Sequence, residues 1–385
     1  MIELRNNIQE NPPDIIAVTE VKPKNFTREL THEEFKIEGY EFEPTDLSEK
    51  DSCRGVALYI RSTLSYRRLT LKDIAGDCEN TPTEIISIEL PLENHKKALI
   101  CIIYRSPTCD EKEDERINRF FWHLDDLKYS EKLIVGDFNR RKINWELLDS
   151  PCENDCKFIE ASQHSYLIQH QKEPTRGRGT DKPSLIDLVF TTKIESIESI
   201  ETTSPLGKSD HSLLKFKLQC KPERLPNKTV LDFSKLDKQK MHKMLDIDWE
   251  KHFEDCNHDL EKLWEKFVAV YEDAVEACIP KKIVKSGIKK YPYRLDRIVL
   301  SKKKRKYRLW KRFLETKDGQ VYEEYCRYRN QVRRMTRKAE KKIEKEVAES
   351  AKTNSKKFWK FINSKTLLRA PIPDHVQTCR KQKVP

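Results

Sequence analysis

The run Leu133-Ile134-Val135-Gly136-Asp137-Phe138-Asn139 constrains the fold more than any other segment. A few consecutive apolar residues closing on a glycine, an acid and an amide read as a buried strand whose last residues spill into a loop. Asp137 and Asn139 are two apart, so an extended backbone would point them to one face. A carboxylate and an amide presented together at a strand end can handle a water and a phosphate oxygen. Similar β-branched runs recur at Asp14–Val18, Gly55–Ile60, Glu84–Ile88, Leu99–Tyr104, Leu185–Phe190 and Leu213–Leu218. Helical patterns intervene at Arg116–Leu127 and Cys156–Ser165. Many strands with few helices predict an α/β domain over residues 1–220, with two packed sheets and helices outside.

After Cys220 the composition shifts. Residues 221–258, with Pro222 and Pro226, read as a linker, and residues 259–365 as a basic, all-helical segment followed by a tail, 366–385. Asp259–Cys278 carries apolar residues at helical spacing and stops at Pro280. Leu300–Leu314 is a second, very basic helix. Val321–Ala351 is a third, with Val321, Tyr325, Tyr328, Val332, Met335 and Ala339 in a four-three rhythm that predicts a helical hairpin or coiled-coil seam. Phe358-Trp359 forms an aromatic cluster near the end.

The formal charge of +11 is concentrated: residues 281–308 hold thirteen Lys or Arg against one acid, Asp296. Such a block favours a polyanion. The candidate nucleic-acid contacts are Arg105, Lys302, Lys303, Lys304, Arg305, Lys306 and Arg308. No apolar run approaches the roughly 20 residues of a membrane-spanning helix. The N-terminal residues are polar and mixed in charge, unlike a secretory leader. The eleven cysteines are scattered and odd in number. They read as reduced thiols of an intracellular protein, nuclear or cytoplasmic.

Several polar residues sit at strand ends. Glu20 follows the first strand as a hard oxygen donor. Asp187 lies in the apolar Leu185–Phe190 run, an expensive place for an acid unless it is paired. Pairing Asp187 with His211, of Ser209-Asp210-His211, would satisfy both. His211, so oriented and charged, could donate to a phosphorane-like transition state. Asp210 must project elsewhere, because adjacent residues diverge. Tyr104, in Tyr104-Arg105-Ser106-Pro107, could reach the same phosphate. With only nine glycines there is no glycine-rich phosphate loop.

Together Asp14–Glu20, Tyr104–Pro107, Gly136–Asn139, Ser184–Phe190 and Ser209–His211, with Pro174-Thr175-Arg176, resemble the endonuclease/exonuclease/phosphatase superfamily. Within it they are similar to the apurinic-type endonucleases of non-LTR (LINE- and jockey-like) retrotransposons. The helical tail resembles the segment leading to a reverse transcriptase in such elements. The resemblance implies a four-layer α/β sandwich of two mixed sheets with outer helices. It implies a Mg2+-dependent (or Mn2+-dependent) phosphodiester hydrolase that nicks DNA for target-primed reverse transcription. Glu20 would bind the metal, with Asp210 near the metal or leaving group. Asp137 would position or activate water and Asn139 would support it. Tyr104 would contact the scissile phosphate, and Asp187 would orient His211.

The family's first strand, with an asparagine near the metal, should precede Glu20; here Met1–Gln9 reads as the helix that follows it, as in an N-terminally truncated copy. Ser106 and Thr108 stand where repair-type members carry an asparagine, which favours nicking over abasic-site repair. Two alternatives compete: a nucleic-acid-binding remnant impaired in catalysis, and a same-fold phosphatase of another phosphoester. DNA is the expected partner, with RNA possible through the basic helices.

Overall fold

The computed structural model describes residues 2–10, 12–22, 32–45, 54–75, 82–179, 181–226, 228–256, 259–284 and 297–365. The tail 366–385 and residues 285–296 of the basic block lie outside the described residues. Two compact units emerge. One combines the stretch up to Arg224 with that from Ile288 onward; the other is Leu225–Gly287.

The first unit starts with α1 (Ile2–Glu10), β1 (Ile15–Val18), α2 (His32–Phe35), β2 (Tyr40–Pro44) and β3 (Ala57–Arg61). These strands form an antiparallel sheet in the order β1-β3-β2. Next come β4 (Arg67–Arg68), α3 (Leu71–Ala75), β5 (Ile85–Leu92), β6 (Lys96–Tyr104), α4 (Glu111–His123), β7 (Glu131–Asp137), α5 (Glu153–His164), β8 (Ile168–Gln169) and β9 (Asp187–Thr191). Six of these strands make a mixed sheet, β4-β5-β6-β7-β9-β8. Only β6 and β7 are parallel, because α4 carries the chain back between them. A separate antiparallel pair joins β10 (Ile197–Thr203) to β11 (Leu213–Leu218).

Side-chain alternation along these strands sorts the core into layers. On β6, Leu99, Cys101 and Ile103 face a cluster with Ile117, Phe120 and Phe121 of α4 and Phe158 of α5. The intervening Ala98, Ile100, Ile102 and Tyr104 face the opposite way, onto Leu58 and Ile60 of β3. Tyr59 of β3 turns outward to Ile8 of α1, Ile16 and Tyr40. The order is thus helices, six-stranded sheet, second sheet layer, helix: a four-layer α/β sandwich. The second layer departs from the expected mixed sheet. It is antiparallel throughout and split between β1-β3-β2 and the β10–β11 pair. The polar stretch Ile197–Thr203 hid β10, since only Ile197 and Thr202 of its seven residues are buried.

The second unit contains β12 (Lys228–Leu231), α6 (Lys238–Leu245), α7 (Trp249–Phe253), α8 (Leu260–Cys278) and β13 (Lys281–Val284), with β12 and β13 antiparallel. Strands therefore occur where helices alone were expected. The span read as a linker carries β12, α6 and α7. Each helix of this unit is started by an aspartate side chain, Asp237, Asp248 or Asp259, accepting a backbone N–H of the first turn. Such short, capped, polar elements leave little hydrophobic periodicity to read.

The chain returns to the first unit with α9 (Arg297–Thr316), α10 (Gly319–Glu349) and α11 (Ser355–Lys365). Helices α9 and α10 form a hairpin sealed by Leu309, Trp310, Phe313, Val321 and Tyr325. Of the expected seam, Val321, Tyr325 and Val332 are buried and Tyr328, Met335 and Ala339 half-buried. On α11, Phe358 and Trp359 meet edge to face, with Trp359 exposed.

Candidate active site

Three strand ends meet at one rim of the sandwich. Strand β6 ends at Tyr104 and β7 at Asp137, side by side in parallel register. Strand β9 runs the other way, so its first residue, Asp187, pairs with Asp137. All three share the side-chain parity of the core between the sheets. The apolar filling stops here, and polar groups take over at its edge.

Close backbone approach makes this arrangement possible. A Cβ on Gly136 would sit 1.8 Å from the carbonyl oxygen of Ile103 on β6. Only glycine lets β7 lie so near β6 immediately before Asp137. The strand then ends. Asn139 adopts φ 50°, so it does not share a face with Asp137 as an extended chain would require. Its side-chain Nδ2 donates to the Arg105 carbonyl at 2.8 Å, and its backbone N–H donates to Asp137 Oδ1 at 3.1 Å. Asn139 therefore ties the β6 and β7 ends together and orients the Asp137 carboxylate.

Asp137 is 1% exposed. Burial and then the neighbouring charge of Asp187 push its pKa up to about 8, with Glu20 adding to the rise; His211 and the Asn139 N–H pull the other way. His211 Nδ1 lies 3.0 Å from Asp187 Oδ2 and 3.1 Å from Oδ1, while its Nε2 is 4.0 Å from Asp137 Oδ2. Burial by itself would lower the imidazole pKa. The hydrogen bond and charge of Asp187, followed by Asp137 and Asp210, more than reverse this and raise it to about 9. With Asp187 accepting from Nδ1–H, Nε2–H is the donor that remains toward Asp137. The sequence pairing of Asp187 with His211 is thus present in the geometry.

Glu20, at φ 52°, receives the Tyr104 hydroxyl at 2.8 Å on one oxygen and Arg54 Nη2 at 2.9 Å on the other. Burial and this carboxylate both raise the Tyr104 pKa, so the phenol stays a hydrogen-bond donor. Asp210 accepts from Arg176 Nε at 3.0 Å. Burial works against its ionisation, but Arg176 outweighs it and the pKa falls below the usual carboxylate range.

Two carboxylates and an imidazole are concentrated here. Asp137, Asp187 and His211 can bring ligand atoms within 4.8 Å of one another. Asp137 is a buried carboxylate whose pKa is raised first by burial and then by the neighbouring charge of Asp187. A divalent cation would offset that charge, so the donor set fits one. Among the described residues, no three-ligand group includes Glu20 or Asp210.

The surrounding frame was not visible in the sequence. Thr175, fully buried, accepts the backbone N–H groups of Asp187 at 3.0 Å and Ile186 at 3.3 Å on its hydroxyl. Arg140, with its guanidinium buried, bridges Asp114 and Asp155 at 2.8 Å each and lies over the Phe158 ring. Arg105 joins this network through Asp114, at 2.5 and 2.9 Å. This departs from its expected role: the guanidinium serves the scaffold and is not presented to a nucleic acid. Lys306 departs likewise, being buried against Glu3 and the Pro205 carbonyl. Lys302 reaches Gln331, and Arg305 pairs with Glu324. Lys303 is half-buried; Lys304 and Arg308 are exposed.

The model of the endonuclease-reverse transcriptase family matches residues 98–215, a span that includes Tyr104, Asp137, Asn139, Asp187, Asp210 and His211. Over that span, about a third of the chain, the sequence is similar to that family. Among solved structures, the endonuclease domain of TRAS1, a telomere-specific non-LTR retrotransposon, is 16% identical. It aligns over 57% of this chain and 92% of its own, with a TM-score of 0.40. A family protein from Leptotrichia buccalis has the same identity and coverage with a TM-score of 0.37. The APE2 catalytic domain of Xenopus laevis is 16% identical over 57% of this chain and 87% of its own, with a TM-score of 0.36. Among curated proteins nothing matches the chain.

Proposed function

We propose that the endonuclease domain hydrolyses a DNA phosphodiester with the help of a divalent metal, making the nick that primes reverse transcription in a non-LTR retrotransposon. The observation that carries this reading is the convergence of Tyr104, Asp137 and Asp187 at three adjacent strand ends with His211 bonded across them. A charged His211, oriented by Asp187, donates from Nε2 to a phosphoryl oxygen as negative charge develops. Asp137, in its ionised form, accepts the proton of the attacking water; burial and the charge of Asp187 raise its affinity for that proton. Asn139 holds that carboxylate in place. Tyr104 donates to the phosphate side of the same pocket, once freed from or shared with Glu20. Glu20 would hold the cation, which when bound would lower the charge barrier to an anionic substrate and stabilise the leaving oxygen. A carboxylate oxygen donor favours Mg2+, with Mn2+ as a substitute. Asp210 serves as the partner of Arg176.

DNA is supported as substrate by charge. Lys304, Arg308, Lys311 and Arg312 are exposed on α9, whose twenty residues include one acid, Glu315. RNA is a second polyanion that this face would hold. No helix among the described residues is long and apolar enough to cross a membrane.

The test is conversion of supercoiled plasmid to the nicked form with Mg2+, beside Asp137→Ala and a chelator control. Loss of nicking in both, on the order of 100-fold or more for the variant, supports the reading. Equal nicking by Asp137→Ala, or no nicking by the unaltered chain at any divalent-metal concentration, overturns it.

A further inference from the structure

The helical hairpin is joined to the loops that carry the site. Trp310 of α9 is 1% exposed, and its Nε1–H donates to Ser212 Oγ at 2.9 Å in a buried bond. Ser212 is the residue after His211. Its own N–H donates to the Thr175 carbonyl at 2.6 Å. Thr175 in turn holds the Asp187 N–H on its hydroxyl. A continuous path thus runs from Trp310 through Ser212 and Thr175 to both members of the Asp187–His211 pair.

Independent contacts anchor the same surface. A Cβ on Gly177, two residues beyond Thr175, would fall 2.8 Å from the Phe313 ring, so this glycine admits α9 to the loop. Lys306 is sealed between the Pro205 carbonyl at 3.0 Å and Glu3 of α1 at 3.4 Å. A lysine is almost never buried unless it is paired, and here both partners belong to the endonuclease domain. Burying Lys306 and Trp310 with specific polar partners fixes one orientation of the hairpin, where a purely greasy contact would tolerate sliding.

We propose that Trp310 is a positioning residue for catalysis: the α9–α10 hairpin is part of the catalytic unit and holds Ser212, and with it the Asp187–His211 pair, in register. This deepens the endonuclease reading and rests on it. In consequence the basic helix is more than a polyanion-binding appendage, and the domain boundary near Cys220 does not delimit the working enzyme.

Trp310→Phe in the full chain retains a ring among Leu309, Phe313 and Tyr325 but deletes the donor; Ser212→Ala deletes the acceptor. Both should lower kcat for plasmid nicking by about 10-fold or more, as expected for misplacing a reacting group by a fraction of an ångström, with KM for DNA unchanged. The double variant should be no worse than the more impaired single variant, because both remove one bond. The Nδ1–H proton of His211, followed by NMR, should shift in Trp310→Phe and move less in the packing control Phe313→Leu. That spectroscopic readout needs no turnover, so it separates failure of this proposal from failure of the endonuclease reading. Unchanged kcat in both single variants, multiplicative losses in the double variant, or an unmoved His211 proton would each overturn the positioning role.

Discussion

Replacing Asp187 with asparagine should shift the basic limb of the pH–rate profile. In the intact protein His211 donates to Asp187 at 3.0 Å, and its pKa stands at about 9 against an ordinary 6.5. At pH 7.5 roughly nine-tenths or more of the imidazole is then charged, and catalysis by the charged form persists until the pH approaches 9. An amide at position 187 removes the charge that offsets burial. Burial then acts against the weaker pull of Asp137 and Asp210, and the pKa falls toward 6.5. The charged fraction at pH 7.5 drops about 10-fold, and the limb should move about two pH units toward acid. Linkage gives the same sign. A histidine whose pKa is raised on folding stabilises fully below 6.5 and loses that contribution as pH rises through about 9. The difference corresponds to about 3 kcal/mol, softened by coupling to Asp137. Nicking rates from pH 6 to 10 and urea unfolding of both proteins at pH 6 and 10 measure the two effects. A variant with its basic limb where the unaltered protein has it, or with the same pH dependence of unfolding, would refute the assignment of His211 as the charged donor.

Other outcomes follow from packing and charge. Gly136→Ala forces a methyl group into the Ile103 carbonyl, so β7 must retreat from β6. A loss of about 3 kcal/mol in urea unfolding, with nicking lost alongside, is expected, and near-native stability would contradict the close approach. Arg140→Met strands Asp155 with only Ser150 for a partner and weakens the hold on Asp114, two acids at most 9% exposed. It should cost about 3–5 kcal/mol in the same assay, against a much smaller loss for the exposed Lys157→Met. Lys304→Ala with Arg308→Ala should flatten the plot of log DNA affinity against log salt by about one to two slope units while sparing the fold. An unchanged slope would remove this face from the DNA contact. Glu20→Gln should raise the Mg2+ concentration needed for half-maximal nicking, read from a metal titration; an unaltered titration would take Glu20 off the cation.

Much of the site was legible in the sequence because it is strand-borne. Leu133–Val135 and Leu185–Phe190 could only be buried strands, and the polar residues at their ends had to gather where the apolar core stops. The cost of an unpaired acid at Asp187 was enough to suggest His211 as its partner. The repeated strands likewise pointed to a layered α/β domain, and the four-three rhythm from Val321 pointed to a helical hairpin or coiled-coil seam.

What only the tertiary structure decided is where charge and hydrogen bonds end up. Arg105 and Arg140 look alike on the chain, as do Lys304 and Lys306, yet Asp114, Asp155, Glu3 and Pro205 draw three of the four inside. No local pattern signals such pairing, since the partners are distant in sequence and the energy comes from mutual burial. Asn139 turned aside because its backbone left the strand, and Thr175 became a support because a buried N–H requires an acceptor. The docking of α9 onto Gly177 and Ser212 follows the same logic. Periodicity sets which face of a helix is apolar, but shape and unpaired polar groups on the opposing surface decide what covers it.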